Sequence, residues 1–338
     1  MQSLLLFKCH QNRIYSTVRL NSTSSNESLF TRIRYVLNHY WLGSKLLYKN
    51  SQIVRQLTKK DSQQLTRLDN FLLKQFRYDI KIGVPFVTLF ALPIVGYLAP
   101  ILALLAPKYL PSTLIMPKQK SLFLDQDAKA SASTIDSLKQ FSQQIFNVEQ
   151  IQGMIPSMQF IDDISSRNQR FELILSSIPE YSILFEKAFD LSLLPREHLL
   201  LLHQSVLHSS FLAKYCLNTY SLEKQLDHWE YQILQDDRLI TNVDQLDRFD
   251  LVKSLYDRGL YLHTKQMGQV LQFQQTQNLN QTDKKLAKSD QQLTIDERII
   301  NDWRLLLKQW IKIHLKLAKT NAASPSFLLH LSSLLLQK

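Results

Sequence analysis

The segment Ile82–Pro107 constrains this chain more than any other part, because its 26 residues include no charge and no Asn, Gln or His. As a helix it would be about 39 Å long, against roughly 30 Å for the hydrocarbon core of a bilayer. Its fourteen Leu, Ile, Val and Phe residues would contribute roughly −4 to −8 kcal/mol towards insertion. Lys81 and Lys108 bound it. The sequence therefore predicts one transmembrane helix over residues 82–107.

The prolines of this segment predict kinks, because each proline lacks a backbone hydrogen-bond donor. They are Pro85, Pro93, Pro100 and Pro107. A helix buried in the core of a soluble protein fits this segment poorly, since such helices rarely carry four prolines. A kinked single crossing is the expectation, and a partly re-entrant path is left open.

The net charge of +11 is distributed unevenly along the chain. Up to Asp127 there are 17 Lys and Arg against 6 Asp and Glu, whereas residues 128–338 hold 23 of each kind. The basic excess is therefore confined to the N-terminal third. Any nucleic-acid surface in the larger C-terminal part must be local, because that part has no bulk positive charge.

The first 27 residues are typical of a mitochondrial transit peptide. Residues 1–26 contain Lys8, Arg13 and Arg19 together with many Ser, Thr, Leu and Asn, and no acidic residue precedes Glu27. Basic, Ser-rich and acid-free leaders direct import into mitochondria. An ordinary disordered N-terminus is the alternative. We therefore expect a transit peptide and disordered leader over residues 1–27.

The remaining composition predicts an all-α protein. Glycine is scarce, with six residues in 338, which leaves few of the tight turns that sheets need. We expect amphipathic helices over residues 28–81 and a helical domain of six or more helices over residues 108–338. A segment rich in Gln, Asn, Lys and Asp predicts a flexible insertion in that domain at about residues 264–293, with some fraying helix.

No pattern in the sequence indicates catalysis. The chain lacks the GxGxxG, P-loop, GxSxG, HExxH and EF-hand motifs. Cys9 and Cys216 are too few for a disulfide framework or an ordinary zinc site. His203 and His208 are five residues apart, which does not place them on one helical face, so structural roles are favoured. We expect no catalytic residue, no cofactor, no metal and no small-molecule substrate, and hence no enzyme.

A strongly amphipathic helix is predicted near the C-terminus, after the capping-box pattern Thr294-Ile295-Asp296-Glu297. Its apolar face includes Trp303 and Trp310. Four cations follow one another at intervals of four residues, and we name them the basic ladder: Arg304, Lys308, Lys312 and Lys316. This spacing places them on one face. We interpret the ladder as a candidate contact for ribosomal RNA, and a solvated charged face is the simpler alternative.

Several short motifs occur in one order from residue 68 to the C-terminus. They are Val84-Pro85-Phe86, Tyr109–Thr113, Asp236–Ile240, Arg258-Gly259-Leu260, Leu307–Leu315 and Pro325–Leu329. As a set they resemble the LETM family of mitochondrial inner-membrane proteins, which carry a ribosome-binding-like domain. The likeness is strongest to the shorter LETM domain-containing branch, which lacks coiled coils and EF-hands.

The resemblance implies an inner-membrane organiser with a single-pass anchor and its C-terminal domain in the matrix. Implied partners are the mitochondrial ribosome, inner-membrane lipid and other inner-membrane proteins, in support of translation, respiratory-complex assembly and membrane structure. Charge counting opposes this orientation, since residues 29–81 hold 11 Lys and Arg against 5 in residues 108–150.

A subunit or regulator of cation/proton exchange is the alternative function, and a scaffold for membrane shape is a third. Longer family members have a glutamate where this chain has Gly96, and no carboxylate lies anywhere in Ile82–Pro107. Ion coupling inside a membrane usually needs an ionisable group. The exchange function is therefore not expected of this chain alone.

We expect the mature protein to begin near Ser16, because Arg13-Ile14-Tyr15-Ser16 resembles a matrix-peptidase site cut after Tyr15. N-terminal sequencing of the protein isolated from mitochondria measures this directly. Recovery of an intact Met1 from that fraction would show that no such leader is removed.

Overall fold

The computed structural model describes residues 29–60, 65–91, 107, 110–145, 167–208, 216–282, 295–319 and 324–336. Over these residues the chain is helical with no strand, so the all-α prediction is confirmed for this part. The chain divides into two compact units. We call Met1–Met116 with Asn278–Ala287 the N-terminal unit, and Pro117–Gln277 with Lys288–Lys338 the C-terminal unit.

Two helices make up most of the described N-terminal unit: α1 (Leu29–Leu57) and α2 (Arg67–Ala91). Val54 and Leu57 of α1 pack against Leu73 of α2. The start of α2 is capped reciprocally. The Asp69 backbone N–H donates to Thr66 Oγ1 at 3.2 Å, and the Thr66 N–H donates to Asp69 Oδ2 at 3.1 Å. These bonds lower the pKa of Asp69.

The uncharged segment is described only at its two ends. Helix α2 continues through Pro85 and ends at Ala91, while residues 92–106, with Pro93 and Pro100, lie outside the described residues. Pro107 accepts a hydrogen bond from the Leu110 N–H at 3.1 Å. No helix in the described ranges is long and apolar enough to cross a membrane. The predicted transmembrane helix over residues 82–107 is therefore not confirmed.

The C-terminal unit contains nine of the described helices, one of which continues past Gln277. They are α3 (Pro117–Ile145), α4 (Arg167–Ser176), α5 (Ile178–Lys187), α6 (Arg196–Leu207), α7 (Thr219–Leu239), α8 (Arg248–Asp257), α9 (Thr264–Thr282), α10 (Glu297–Lys319) and α11 (Pro325–Leu336). Short 3₁₀ turns at Leu191–Leu193 and Val243–Gln245 join neighbouring helices. These bounds fulfil the expectation of six or more helices.

Helix α11 is the centre of the C-terminal unit. Every residue from Ser326 to Leu335 is buried, including the polar Ser326, His330, Ser332 and Ser333. It packs against α3, α5 and α7. The apolar stretch at the C-terminus is thus a core helix.

The first part of the flexible insertion predicted at about residues 264–293 is a packed helix. Residues 264–282 form α9, and Met267 and Val270 are buried in the core. A Cβ on Gly268 would lie 3.3 Å from Ser121 Cβ, so α9 packs closely on α3. Residues 283–294 lie outside the described residues, as does Thr294 of the predicted capping box.

Two buried histidines join α6 to α11. His198 Nε2 lies 2.7 Å from His330 Nε2. His330 Nδ1 lies 2.6 Å from the Ser326 carbonyl, so it must donate there, which leaves His330 Nε2 as the acceptor for His198. His198 Nδ1 then accepts from Ser137 Oγ at 2.8 Å. Two neutral rings can therefore complete this chain of hydrogen bonds.

Burial lowers the pKa of His198 to about 2, with His330 adding to the effect, and lowers the pKa of His330 to about 4. A histidine whose pKa falls on folding stabilises the fold fully only above its unfolded pKa of about 6.5. Below that pH the unfolded chain binds more protons, so stability is lost as the pH falls.

We predict that His330→Gln makes stability less sensitive to acid. Between pH 7.5 and pH 5 the parent should lose about 2 kcal/mol more of its unfolding free energy than the variant. Urea denaturation of the full chain in detergent measures this difference. Burial and Asp227 raise the pKa of Glu230 to about 7, which opposes the loss in both proteins and cancels in the comparison.

The exposed His228 supplies a matched control, His228→Gln, in which the same substitution is made outside the core. An equal pH dependence in the parent and in His330→Gln would contradict the neutral histidine pair.

Candidate functional site

Helix α10 carries the predicted site, and its apolar face is anchored as the sequence indicated. Trp303 and Trp310 are fully buried. The Trp303 indole donates to the Leu262 carbonyl at 2.8 Å, and the Trp310 indole donates to Asp237 Oδ2 at 3.3 Å. The two aromatic anchors thus hold α10 in a fixed rotation about its axis.

A buried ion pair ties α10 to two other helices. Asp237, at the end of α7, accepts from Arg258 Nε at 3.0 Å and also from Arg258 Nη2. His314 Nδ1 of α10 donates to the other oxygen of the same carboxylate. Arg258 also donates to Asp236 Oδ2 and to the Ser254 carbonyl, each at 2.8 Å. Three motifs of the predicted LETM set therefore meet at one carboxylate.

The electrostatics of this network favour its charged form. Burial alone would raise the pKa of Asp237, but the Arg258 charge and the His314 hydrogen bond outweigh it, so the pKa is lowered. Burial works to lower the pKa of Arg258, whereas Asp237 and Asp236 raise it above its ordinary value. The pair therefore stays ionised inside the protein.

The side chains of the basic ladder make contacts within the C-terminal unit. Lys308 Nζ pairs with Asp244 Oδ2 at 2.7 Å, and Lys316 Nζ donates to the Leu175 carbonyl at 2.9 Å. Lys312 lies over the Phe171 ring, with Nζ 5.4 Å from the ring centroid. Arg304 is half-buried and Nη1 contacts Asn301 Oδ1 at 3.4 Å. Contacts from α4 and from Val243–Gln245 thus hold the ladder in place.

The ladder nevertheless faces solvent. Lys312 and Lys316 are exposed, and the Lys308 side chain remains 48% exposed in its pair with Asp244. An exposed ion pair of this kind is weak and exchanges readily for another anion. The ladder therefore presents cations at fixed spacing, and Asp244 partly neutralises the charge of Lys308.

A groove of about 410 Å³ runs beside the ladder between α4 and α10. Its lining includes Asn168, Glu172, Leu305 and Gln309. Gln309 is buried, and its Nε2 donates to Asn168 Oδ1 at 3.0 Å. Within the described ranges its Oε1 has no hydrogen-bond donor. The groove therefore places the exposed carboxylate of Glu172 beside the cations of α10.

The histidines that were considered structural pack within the C-terminal unit. His203 Nε2 lies 3.0 Å from Gln225 Oε1. The His208 ring stacks on Tyr256 with centroids 3.8 Å apart, and its Nδ1 lies 3.2 Å from Asp127 Oδ2. Over the part of the chain that the structure describes, no group of three or more His, Cys, Asp or Glu side chains is placed to hold a metal ion.

The buried network and the histidine pair were not found from the sequence. One signal was available: His330 is a polar residue inside the apolar run Phe327–Leu336, and such a residue needs a buried partner. The identity of that partner depends on helix packing, which no local pattern reveals.

A sequence model of the family described as "LETM1-like, RBD" matches residues 65–289, about two thirds of the chain. The chain belongs to this LETM1-like ribosome-binding-domain family. The resemblance to the LETM family is thereby confirmed. The matched residues end before α10, but His314 and Trp310 of α10 bond to Asp237 inside the matched part. Helix α10 therefore belongs to the same folded unit.

One curated relative is the LETM1 domain-containing protein YLH47, mitochondrial, of Saccharomyces cerevisiae (strain ATCC 204508 / S288c). It is 36% identical over 91 residues, which cover 26% of this chain and 20% of that protein. The matched stretch thus spans about a fifth of the length of the yeast relative. No solved structure matches the chain.

We predict that Arg258→Leu destabilises the C-terminal unit by about 3–5 kcal/mol, because it leaves the carboxylates of Asp237 and Asp236 without their counter-charge. Chemical denaturation of the full chain in detergent, followed by far-UV circular dichroism, measures the loss. Arg238→Leu is the matched control, since Arg238 is exposed on the same stretch of chain. Equal denaturation midpoints for the two variants would contradict the role of the ion pair.

Proposed function

We propose that this chain is a mitochondrial inner-membrane protein whose C-terminal helical unit binds the mitochondrial ribosome. In this role it supports mitochondrial translation, respiratory-complex assembly and membrane structure. The observation that carries the proposal is the LETM1-like ribosome-binding-domain match, because most of the matched residues fold into the C-terminal unit. The acid-free basic leader and the mitochondrial yeast relative support the compartment.

The proposed organisation follows the sequence. Residues 1–27 form the transit peptide and leader, residues 28–81 the N-terminal helices, and residues 108–338 the domain in the matrix. The uncharged segment Ile82–Pro107 attaches the protein to inner-membrane lipid, as a transmembrane helix in the sequence interpretation. Other inner-membrane proteins are proposed as further partners. The cation/proton-exchange alternative gains no support from this segment, which lacks a carboxylate.

The basic ladder is the proposed contact for ribosomal RNA. Lysines held at fixed spacing lose less conformational entropy when they bind phosphate than freely rotating lysines do. Residues 128–338 carry no net charge as a whole, so the ladder provides the local concentration of positive charge that an RNA surface requires. When phosphate binds, either the ion pair between Lys308 and Asp244 breaks or Lys308 contacts the carboxylate and the phosphate together.

We predict that replacing the four ladder residues with Gln weakens ribosome binding. Neutral side chains are chosen because a glutamate at position 308 would face Asp244. The salt dependence of binding should fall by roughly one unit of slope for each phosphate contact that is lost. Co-sedimentation of the full chain with mitochondrial ribosomes over a salt series measures both effects.

The control variant replaces four exposed cations elsewhere on the C-terminal unit with Gln: Lys187, Lys224, Arg238 and Lys265. This variant has the same net charge as the ladder variant and should bind ribosomes with the parent's salt slope. If the two variants bind equally well, the ladder is a solvated face and carries no specific contact.

A further inference from the structure

Helix α1 has one face that packs on the rest of the N-terminal unit and one face that is exposed. On the packed face, Val54 and Leu57 contact Leu73 of α2. A Cβ on Gly43 would lie 2.4 Å from the Thr113 carbonyl oxygen, so only glycine permits this close approach. These contacts fix the rotation of α1 about its axis, and they also fix which of its side chains point outward.

The outward side chains form a continuous line along α1, which we name the outer stripe. They follow one another at intervals of four and three residues, so they lie above one another on the helix surface. The line is about 32 Å long, since an α-helix rises about 1.5 Å per residue. Its members are all exposed: Arg34, Asn38, Trp41, Lys45, Tyr48, Gln52 and Arg55. The outer stripe therefore presents three cations and two aromatic rings.

The two rings of the outer stripe are unusually exposed for such large side chains. Trp41 and Tyr48 are 62% and 68% exposed, and Leu37 beside them is 57% exposed. The other three tryptophans of the chain are buried. Large apolar side chains that are exposed together on one face mark an interaction surface. The outer stripe therefore differs from an ordinary solvated helix face.

All the charged residues of α1 are basic. The helix contains five Lys and Arg and no Asp or Glu. Lys45 Nζ lies 5.2 Å from the centroid of the Trp41 ring, and Lys49 is exposed four residues further along. A surface with one sign of charge attracts a partner of the opposite sign. The partner that complements α1 is therefore anionic.

We propose that the outer stripe binds the headgroups of an anionic membrane leaflet. Tryptophan and tyrosine rings have an apolar body and a polar edge, which suits the headgroup region. Each Lys or Arg close to such a leaflet adds to the attraction. The stripe holds too few apolar residues for deep insertion, so its rings lie at the level of the headgroups. This contact rests on the proposed inner-membrane location and adds to the attachment through Ile82–Pro107.

Lipid fits the outer stripe better than other anionic partners do. An acidic protein is disfavoured because lysine is depleted in protein–protein interfaces. RNA phosphates would engage the cations but would leave the side chain of Leu37 in water. The boundary between headgroups and acyl chains accepts Leu37, the aromatic rings and the cations together.

The fluorescence of Trp41 tests the proposal in the full chain. The protein is reconstituted in phosphatidylcholine vesicles with and without phosphatidylglycerol, and the acyl chains carry bromine near either the carbonyl end or the methyl end. We expect bromine near the carbonyl end to quench Trp41 more strongly, and only when phosphatidylglycerol is present. Trp41→Phe supplies the background signal of the three buried tryptophans.

Lys45→Gln/Lys49→Gln tests the contribution of the cations. Binding of the stripe should weaken about fivefold for each lysine removed, so quenching should require more phosphatidylglycerol than in the parent. The matched control is Lys224→Gln/Lys265→Gln, which removes the same charge from exposed positions of the C-terminal unit and should be quenched like the parent. Equal quenching of the two variants would overturn the electrostatic contact.

Vesicle flotation of the same samples separates the lipid contact of α1 from the membrane attachment. Failure of the protein to float with any vesicle would overturn the attachment and the contact with it. Flotation without quenching of Trp41 would overturn the contact alone. Protection of Trp41 from acrylamide by added RNA, without quenching by brominated lipid, would assign the outer stripe to nucleic acid instead.

Discussion

The carboxylate of Asp237 holds the C-terminal unit together. It receives hydrogen bonds from Arg258, His314 and Trp310, which belong to different parts of the chain. A charge with 1% exposure is tolerable only when it is paired and hydrogen-bonded. Any arrangement of α7, α8 and α10 that separates these residues would leave a buried charge unpaired. The network therefore favours one packing of these helices over the alternatives.

The orientation of α10 follows from this constraint. With His314 and Trp310 directed at Asp237, the opposite face of the helix must point outward. Lys308 reaches Asp244, and Lys312 and Lys316 reach α4, because those elements flank the exposed face. Core and surface are thus coupled: the buried ion pair sets the rotation of the helix, and the rotation sets where the cations lie.

Part of this arrangement could be predicted from the sequence. The spacing of Trp303 and Trp310 indicates an amphipathic helix, and this holds because both rings are large enough to determine the packing. The contacts of the ladder could not be predicted, since they depend on residues such as Phe171 and Asp244 that are distant in sequence. The same limit applies to the segment 82–107: its composition indicates lipid, but residues 92–106 lie outside the described part of the chain. The polar composition of residues 264–282 does not predict the packed helix α9, because only Met267 and Val270 anchor it in the core.

The central claim is that the C-terminal unit meets the mitochondrial ribosome through the exposed face of α10. Site-specific photo-crosslinking tests it most directly, with a photoreactive residue in place of Leu305, which is 38% exposed between Arg304 and Lys308. A second probe replaces Tyr220 of α7, which is 68% exposed. The account predicts crosslinks to ribosomal RNA or protein from position 305 and none from position 220. Crosslinks from position 220 alone, or none from position 305 in the presence of bound ribosomes, would contradict it.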